Sequence, residues 1–357
     1  MSGRIMIMAG GTGGHVFPGL AVADHLKAEG WQVHWLGTAE KMEARVVPAA
    51  GYPISYLSIS GVRGNGLIRL LKAPFKIAQA VWQARKAIKQ FQPDVVLGMG
   101  GFASGPGGVA AWLSGVPLLI HEQNAVPGMT NKLLSRLARK VMTGFDRTFP
   151  AATPNVEWVG NPVRNNIAPS KHKTQGDSLH VLVVGGSLGA KALNEILPSQ
   201  FAGIEGIEIR HQCGGGREAE AKTAYEQHMG TQHNWQVQAF IDDMGQAYDW
   251  ADLVICRAGA LTVSEIASSG LAAIFVPLPY AVDDHQTRNA EVLVQAGAAL
   301  LVPQSQLAGQ DFKQTLTQLL ADAGTLATMG QKALSQAKPD ATDRVAGYCK
   351  ELAEQQA

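Results

Sequence analysis

The chain has 357 residues, 46% hydrophobic and 17% charged, with 30 Lys and Arg set against 29 Asp and Glu. That suits two globular domains with proper cores and excludes a disordered chain; no signal peptide and no run of about 18 apolar residues is evident, so a cytoplasmic location is expected. Charge is uneven: 16 Lys and Arg face 8 Asp and Glu up to residue 163, and 14 face 21 beyond it, so the first half should attract anions.

The first predicted strand, RIMIMA, runs into Gly10, Gly11, Thr12, Gly13, Gly14 and His15, with a helix predicted from Phe17 or Pro18. Every extra glycine makes a chain harder to order, so such crowding implies that something approaches the backbone closely. A phosphate or sugar could lie against the loop amides and the positive end of the helix. The dinucleotide fingerprint does not fit, because Val16 stands where it needs a glycine, and no Walker sequence occurs. A plain tight turn is the alternative. His15 has two open roles, a cap or core residue and a general base.

QVHWLG and ISYLSI follow as strands. No acid occurs from Val46 to Pro93, a region holding Arg63, Arg69, Lys72, Lys76, Arg85, Lys86 and Lys89. Within it, Leu67, Ile68, Leu71, Phe75 and Trp82 alternate with these cations. The stretch reads either as a core helix with a basic solvent face or as a segment lying in an anionic headgroup layer. DVVLGM, which leads into Gly100 and Gly101, PLLIHE, which ends at Glu122, and KVMTGF complete the strands of this half. WVGNPVRNNIAPSKHKTQGDS is polar, carries two prolines and reads as a linker, dividing a domain at 1–163 from one at 164–340. A polar helix at about 341–357 is expected to pack back on the first domain.

The second half alternates HVLVVG, IEIRHQ, WQVQAF, DLVICR, AAIFVP and AALLVP with helical stretches, so both halves read as doubly wound parallel sheets. Ligands of such sheets bind at the carboxyl ends of the strands. GGSLGA echoes the first glycine loop and carries Ser187 and Lys191. In CRAGALTVSEIA, a turn at Gly259 precedes a helix bearing Ala260, Leu261, Thr262, Val263 and Ser264, with Glu265 expected in its first turn. That suits a diphosphate at the helix start and a ribose diol on Glu265, or equally a cap whose glutamate complements the helix dipole. DDHQTRNA adds Asp283, Asp284, His285, Gln286 and Asn289 as hydroxyl partners on one rim. Cys213, Cys256 and Cys349, an odd number without paired spacing, support neither a disulfide framework nor a zinc ribbon and read as packed thiols.

Together, GGTGGHVFPGLAVA, VLGMGGFASGPGGVAA, HEQNAVPGMTN, VGNPVR, VLVVGGSLGA, FIDDM, CRAGALTVSEIA and DDHQTRNA resemble the MurG family, the bacterial peptidoglycan N-acetylglucosaminyltransferases, nearly end to end. The resemblance implies a GT-B glycosyltransferase of two Rossmann-like domains facing across a cleft, the amino half binding acceptor and the carboxyl half binding donor. It implies transfer of N-acetylglucosamine from UDP-N-acetylglucosamine to the 4-hydroxyl of undecaprenyl-diphospho-N-acetylmuramoyl-pentapeptide, lipid I, giving lipid II with inversion. Carried over by motif, Glu265 falls on the ribose, the Ile241 backbone on the uracil and Arg164 in the same pocket. Ala260, Leu261, Thr262, Val263 and Ser264, helped by Ser187, fall on the diphosphate. Asn124 and Gln286, with Thr12, Gly13 and Gly14, fall on the donor sugar, and Gly10, Gly11, Gly100 and Gly101 on the acceptor. The resemblance makes His15 the general base, with Glu122 as the alternative.

No Asp-x-Asp occurs, so helix-end amides are expected to stabilise the leaving diphosphate, and neither a metal nor another cofactor is called for. A polyprenyl acceptor brings the enzyme to the cytoplasmic face of the inner membrane as a peripheral protein. Leu67, Ile68, Leu71, Lys72, Phe75, Lys76 and Trp82 would then meet an anionic surface, and other proteins of cell-wall synthesis would be partners. Two readings compete: another UDP-sugar enzyme of this architecture, and a nucleic-acid-binding module using the basic half. The latter lacks any base-stacking or groove-reading motif.

Overall fold

The computed structural model describes residues 3–59, 67–170, 178–186, 189–231, 234–279 and 284–355, with the backbone alone for 67–73. It divides into two compact units, Met1–Arg164 with Lys338–Ala357, and Asn165–Ala337.

The first unit is built from β1 (Arg4–Ala9), α1 (Gly13–Ala28), β2 (Gln32–Gly37), α2 (Glu43–Ala49), β3 (Ile54–Tyr56), α3 (Leu67–Phe91), β4 (Val95–Gly100), α4 (Ser104–Leu113), β5 (Leu118–Glu122), α5 (Met129–Leu134), β6 (Lys140–Thr143) and β7 (Val156–Trp158). Its seven strands run parallel in the order β3-β2-β1-β4-β5-β6-β7, so the order reverses at β1 and β4. Both faces of the sheet are covered, which is why β1 is apolar after Arg4 instead of alternating. Ile5, Ile7 and Ala9 belong to one core cluster with Val16 and Leu20 of α1, whereas Met6 and Met8 point the other way and join Ala84 and Ile88 of α3 and Ala110 and Ala111 of α4. On that second face Gly107 of α4 lets the helix lie close: a Cβ there would stand 2.2 Å from Met8 Sδ.

The second unit repeats the plan with β8 (Leu179–Val184), α6 (Lys191–Phe201), β9 (Ile207–Gln212), α7 (Glu218–Met229), β10 (Trp235–Gln238), α8 (Met244–Trp250), β11 (Leu253–Cys256), α9 (Ala260–Ser269), β12 (Ala272–Phe275), α10 (His285–Gln295), β13 (Ala299–Leu301), α11 (Gln310–Leu320) and α12 (Ala323–Leu334). Its parallel sheet has the order β10-β9-β8-β11-β12-β13, reversing at β8 and β11. All three cysteines are buried.

A final helix, α13 (Ala341–Glu354), packs against α1 and adds Val345, Ala346 and Cys349 to the first unit's core. Its polar anchor is Glu157 of β7, which accepts from Lys140, Arg344 and Tyr348. Burial pushes that carboxyl up, but these donors outweigh it and hold Glu157 at about 2. Arg344 also donates to Trp158 O at 3.1 Å.

Three local expectations change. β7 overlaps the expected linker at Trp158 and otherwise falls where no element is expected, because a three-residue strand with a charge at its centre is too short for an alternation to show. Helix α1 starts at Gly13, not at Phe17 or Pro18, since Thr12 is already extended at φ −134° and acts as the N-cap residue. Likewise Gly259 caps α9, so Glu265 sits beyond the first turn, which holds no acid.

Candidate functional site

In the first unit β1, β4 and β5 are neighbours, so the turns after their carboxyl ends share one end of the sheet. The glycines there are spent largely on the protein itself. A Cβ on Gly101, whose φ is +87°, would stand 2.2 Å from Gly10 O, so the two turns meet backbone to backbone. On Gly100, with φ +98°, it would stand 3.0 Å from His15 Nε2. On Gly10 it would meet Glu43 Oε1 at 2.4 Å. Of the glycines in these two turns, Gly11 has nothing within 4 Å of such a Cβ and Gly14 has Thr12 Oγ1 at 3.7 Å, so these two leave backbone open to a ligand. Ser104, which the motifs did not single out, ties the turns together: its Oγ accepts from Gly100 N–H at 3.1 Å and lies 2.9 Å from Met8 O.

His15 is half-buried in the first turn of α1. Its Nδ1 is 3.1 Å from Gly10 O and 3.4 Å from Thr12 Oγ1. A carbonyl oxygen only accepts, so Nδ1 carries a proton, and in the neutral ring the lone pair is on Nε2, beside Gly100. Arg164 belongs to this unit too, with its guanidinium 4.8 Å from the centre of the Phe17 ring.

Glu122 is placed differently from an open base. It is 2% exposed, and its oxygens accept from Asn124 N–H (3.0 Å), Asn124 Nδ2 (3.2 Å), Gly128 N–H (3.0 Å) and Asn131 Nδ2 (2.8 Å). The carboxylate therefore folds the turn after β5, and Asn124 is turned toward it. Neighbouring His121 is driven down to about 4 by burial, against the opposing effects of its bond to Gly160 and of the Glu122 charge.

In the second unit the turn after β8 is gripped by Gln212, which accepts from Gly186 N–H at 3.0 Å and donates to Gly186 O at 3.0 Å and Ala239 O at 2.9 Å. Ser187 lies outside the described residues, as does Asp283. Helix α9 begins at Ala260 behind the Gly259 cap; Ala260, Leu261 and Val263 are buried, and Thr262 and Ser264 are half-buried. Glu265 is 3% exposed and accepts from Tyr248 OH at 3.1 Å, so it faces inward. Its charge adds to burial in pushing the Cys256 thiol up. Ile241 is buried beside an exposed Phe240. Gln286 Oε1 accepts from Leu278 N–H at 2.9 Å, linking α10 to the segment after β12, which Arg257 also braces through Val276 O and Pro277 O. Asn289, expected on a rim, is fully buried and donates to Ala258 O, because it lies on the inner face of α10.

Tyr248, Gln212 and Glu43 lie in none of the motifs, and Arg257 and Ser104 lie within two of them without standing out there; their partners in space mark all five. Among the described residues no group of three or more His, Cys, Asp or Glu side chains could hold a metal ion. None of the described helices is long and apolar enough to cross a membrane.

On α3, Ala80, Ala84 and Ile88 face the core, while Phe75 and Trp82 are 80% and 64% exposed alongside exposed Lys76, Arg85, Lys86 and Lys89. Helix α4, packed beside α3, adds exposed Trp112 and Leu113, which the sequence reading missed. Leu67, Ile68, Leu71 and Lys72 fall on α3, but their side chains lie outside the described residues.

Two doubly wound parallel-sheet domains, each opening on a glycine turn, define a glycosyltransferase architecture of the GT-B class. The glycosyltransferase family 28 N-terminal domain matches residues 5–143 and the glycosyltransferase family 28 C-terminal domain matches residues 180–345. The chain belongs to glycosyltransferase family 28 and, within it, to the MurG enzymes. It is 55% identical over 369 residues to a protein of Pseudoalteromonas atlantica named UDP-N-acetylglucosamine--N-acetylmuramyl-(pentapeptide) pyrophosphoryl-undecaprenol N-acetylglucosamine transferase, covering 99% of this chain and 97% of that one. It is 57% identical to the protein of the same name from Aeromonas hydrophila, covering 99% and 98%. The crystal structure of Acinetobacter baumannii MurG superposes with a TM-score of 0.84 at 46% identity, covering 98% of this chain and 99% of that one.

Proposed function

We propose that this chain moves N-acetylglucosamine from UDP-N-acetylglucosamine to the 4-hydroxyl of lipid I, forming lipid II and UDP. The observation that carries the reading is identity of 55% and 57%, across 99% of the chain, to transferases named for those substrates. The residues on the page suit the chemistry. An alcohol is a poor nucleophile at neutral pH, and His15 presents a lone pair at Nε2 to take its proton. As that proton moves to Nε2, the alcohol oxygen bonds to the anomeric carbon and the bond from that carbon to the diphosphate oxygen breaks. Attack from the face opposite the leaving group inverts the α donor linkage to a β product. Glu122, with four donors on its two oxygens, is better suited to shaping its turn than to accepting a proton.

The first unit binds acceptor, with Gly11 as its open backbone. The second binds donor, its diphosphate against the amides that open α9, where the helix dipole offsets the charge of departing UDP. Glu265, oriented by Tyr248, takes the ribose, and Ile241 offers its backbone to the uracil. Because the acceptor is tethered to lipid, Phe75, Trp82 and Trp112 with Lys76 and Lys86 meet an anionic bilayer surface at the cytoplasmic face of the inner membrane.

The test is UDP release with a short-chain lipid I analogue. Release should depend on that acceptor, and His15→Ala should lower turnover by about 100-fold or more with donor affinity intact. Acceptor-independent release would refute the activity, and near-normal turnover by His15→Ala would refute the base.

A further inference from the structure

We infer that Glu43 is a positioning residue that acts on His15 through a single peptide group. The inference rests on His15 being the base. The peptide joining Gly10 and Gly11 is engaged at both ends: its carbonyl oxygen accepts from His15 Nδ1 at 3.1 Å, and its N–H donates to Glu43 Oε2 at 2.9 Å. The order is carboxylate, N–H, C=O, Nδ1–H, with the reactive lone pair at the far end on Nε2.

Glu43 is fully buried in the first turn of α2, far from His15 in sequence. Its other oxygen, Oε1, accepts from Thr38 N–H at 3.0 Å and from the Thr38 hydroxyl. Every partner is a donor, and none of the described residues forms an ion pair with it. A buried carboxylate without a cation is expensive to keep. Here its place is fixed by two glycines: a Cβ on Gly10 would lie 2.4 Å from Oε1 and one on Gly37 2.7 Å from Cγ.

Hydrogen bonds in a chain polarise one another, so a carboxylate on the N–H makes the carbonyl a stronger acceptor. A stronger acceptor at Gly10 O favours the Nδ1–H tautomer and stabilises the imidazolium that forms as the proton arrives at Nε2. The arrangement does the work of the aspartate in a Ser-His-Asp triad, with a peptide group inserted between acid and histidine.

The variant is Glu43→Gln, which keeps the shape and an oxygen for Gly11 N–H but removes the charge. At an effective dielectric of about 20, opposite charges separated by two hydrogen bonds and one peptide group support a fall in kcat on the order of tenfold. KM for both substrates should change less than about twofold, because the effect belongs to the transition state. In a His15→Ala background Glu43→Gln should have no further effect. Two spectra of the wild-type protein read the relay without activity: selectively 15N-labelled histidine should show His15 in the Nδ1–H form, and the Gly11 amide proton should resonate downfield, as a donor to a carboxylate.

An Nε2–H tautomer, an ordinary Gly11 amide shift, an unchanged kcat in Glu43→Gln, or an equal loss in the His15→Ala background would each overturn the inference. Should Glu43→Gln fail to fold, the two wild-type spectra decide. Near-normal turnover by His15→Ala refutes the base instead, a result distinct from all four.

Discussion

Replacing Glu122 by Gln separates its two candidate roles. The carboxylate is 2% exposed and holds two donors on each oxygen: Asn124 N–H and Nδ2 on Oε1, Gly128 N–H and Asn131 Nδ2 on Oε2. Gln retains one accepting oxygen. It will face the buried Asn131, leaving the new NH2 against the two donors of Asn124, which are half-buried and partly reach water. Two bonds lose their charge assistance and two are lost outright, together about 3 kcal/mol. For a unit of this size that lowers the melting temperature by about 6 to 12 °C, visible by calorimetry as a shift in one of two transitions. Turnover measured well below that transition should stay within about threefold of wild type, because no proton passes through this group. An unchanged melting profile with a fall of about 100-fold in turnover would refute the reasoning and make Glu122 the base.

Gly101→Ala combines a φ of +87° with a Cβ 2.2 Å from Gly10 O, a backbone atom that cannot step aside. It should destabilise the first unit by about 3 kcal/mol and largely abolish UDP release, whereas Gly30→Ala, at φ +85° with nothing within 4 Å, should leave release intact. Glu157 is held at about 2 by Lys140, Tyr348 and Arg344 against the upward push of burial, below the value of about 4.3 expected in the unfolded chain. Its stabilisation is thus complete above about pH 5 and lost as pH falls from there through about 2. Urea melts between pH 7 and 3 should show the first unit weakening on the acid side and Glu157→Gln flattening that slope; a slope equal to wild type counts against the anchor. Lys76→Glu with Lys86→Glu should weaken binding to vesicles containing anionic lipid by about 100-fold and leave binding to neutral vesicles unchanged. Equal binding to both vesicle types by the wild-type protein would remove α3 from the membrane contact.

Much of the fold is legible in the chain because strands buried on both faces announce themselves as continuous apolar runs. RIMIMA, apolar after Arg4, stands in the structure with the same ends, and so does IEIRHQ, which shows instead by the alternation of Ile207 and Ile209 with Glu208 and Arg210. β7 was not legible, since three residues carry no period and it pairs with β6 only once the sheet exists. The glycine loop was legible as a place of close approach, but its occupant was not. At Gly10, Gly100 and Gly101 the approaching groups are Glu43, His15 and the opposite backbone. Asn289 misled for the same reason: its motif offered a polar side chain, and the inward face of α10 buried it.

The order of residues by itself determined two repeating strand and helix halves, the glycine turns and the helix that opens at Ala260, because backbone conformation and the alternation of buried segments are local properties. Only tertiary structure decided that Glu43 reaches the peptide beneath His15, that Glu122 is filled with donors, and that Tyr248 meets Glu265. Hydrogen bonds between distant elements depend on strand order and helix placement, and a carboxylate looks alike in sequence whether folding gives it a proton to take or a turn to hold.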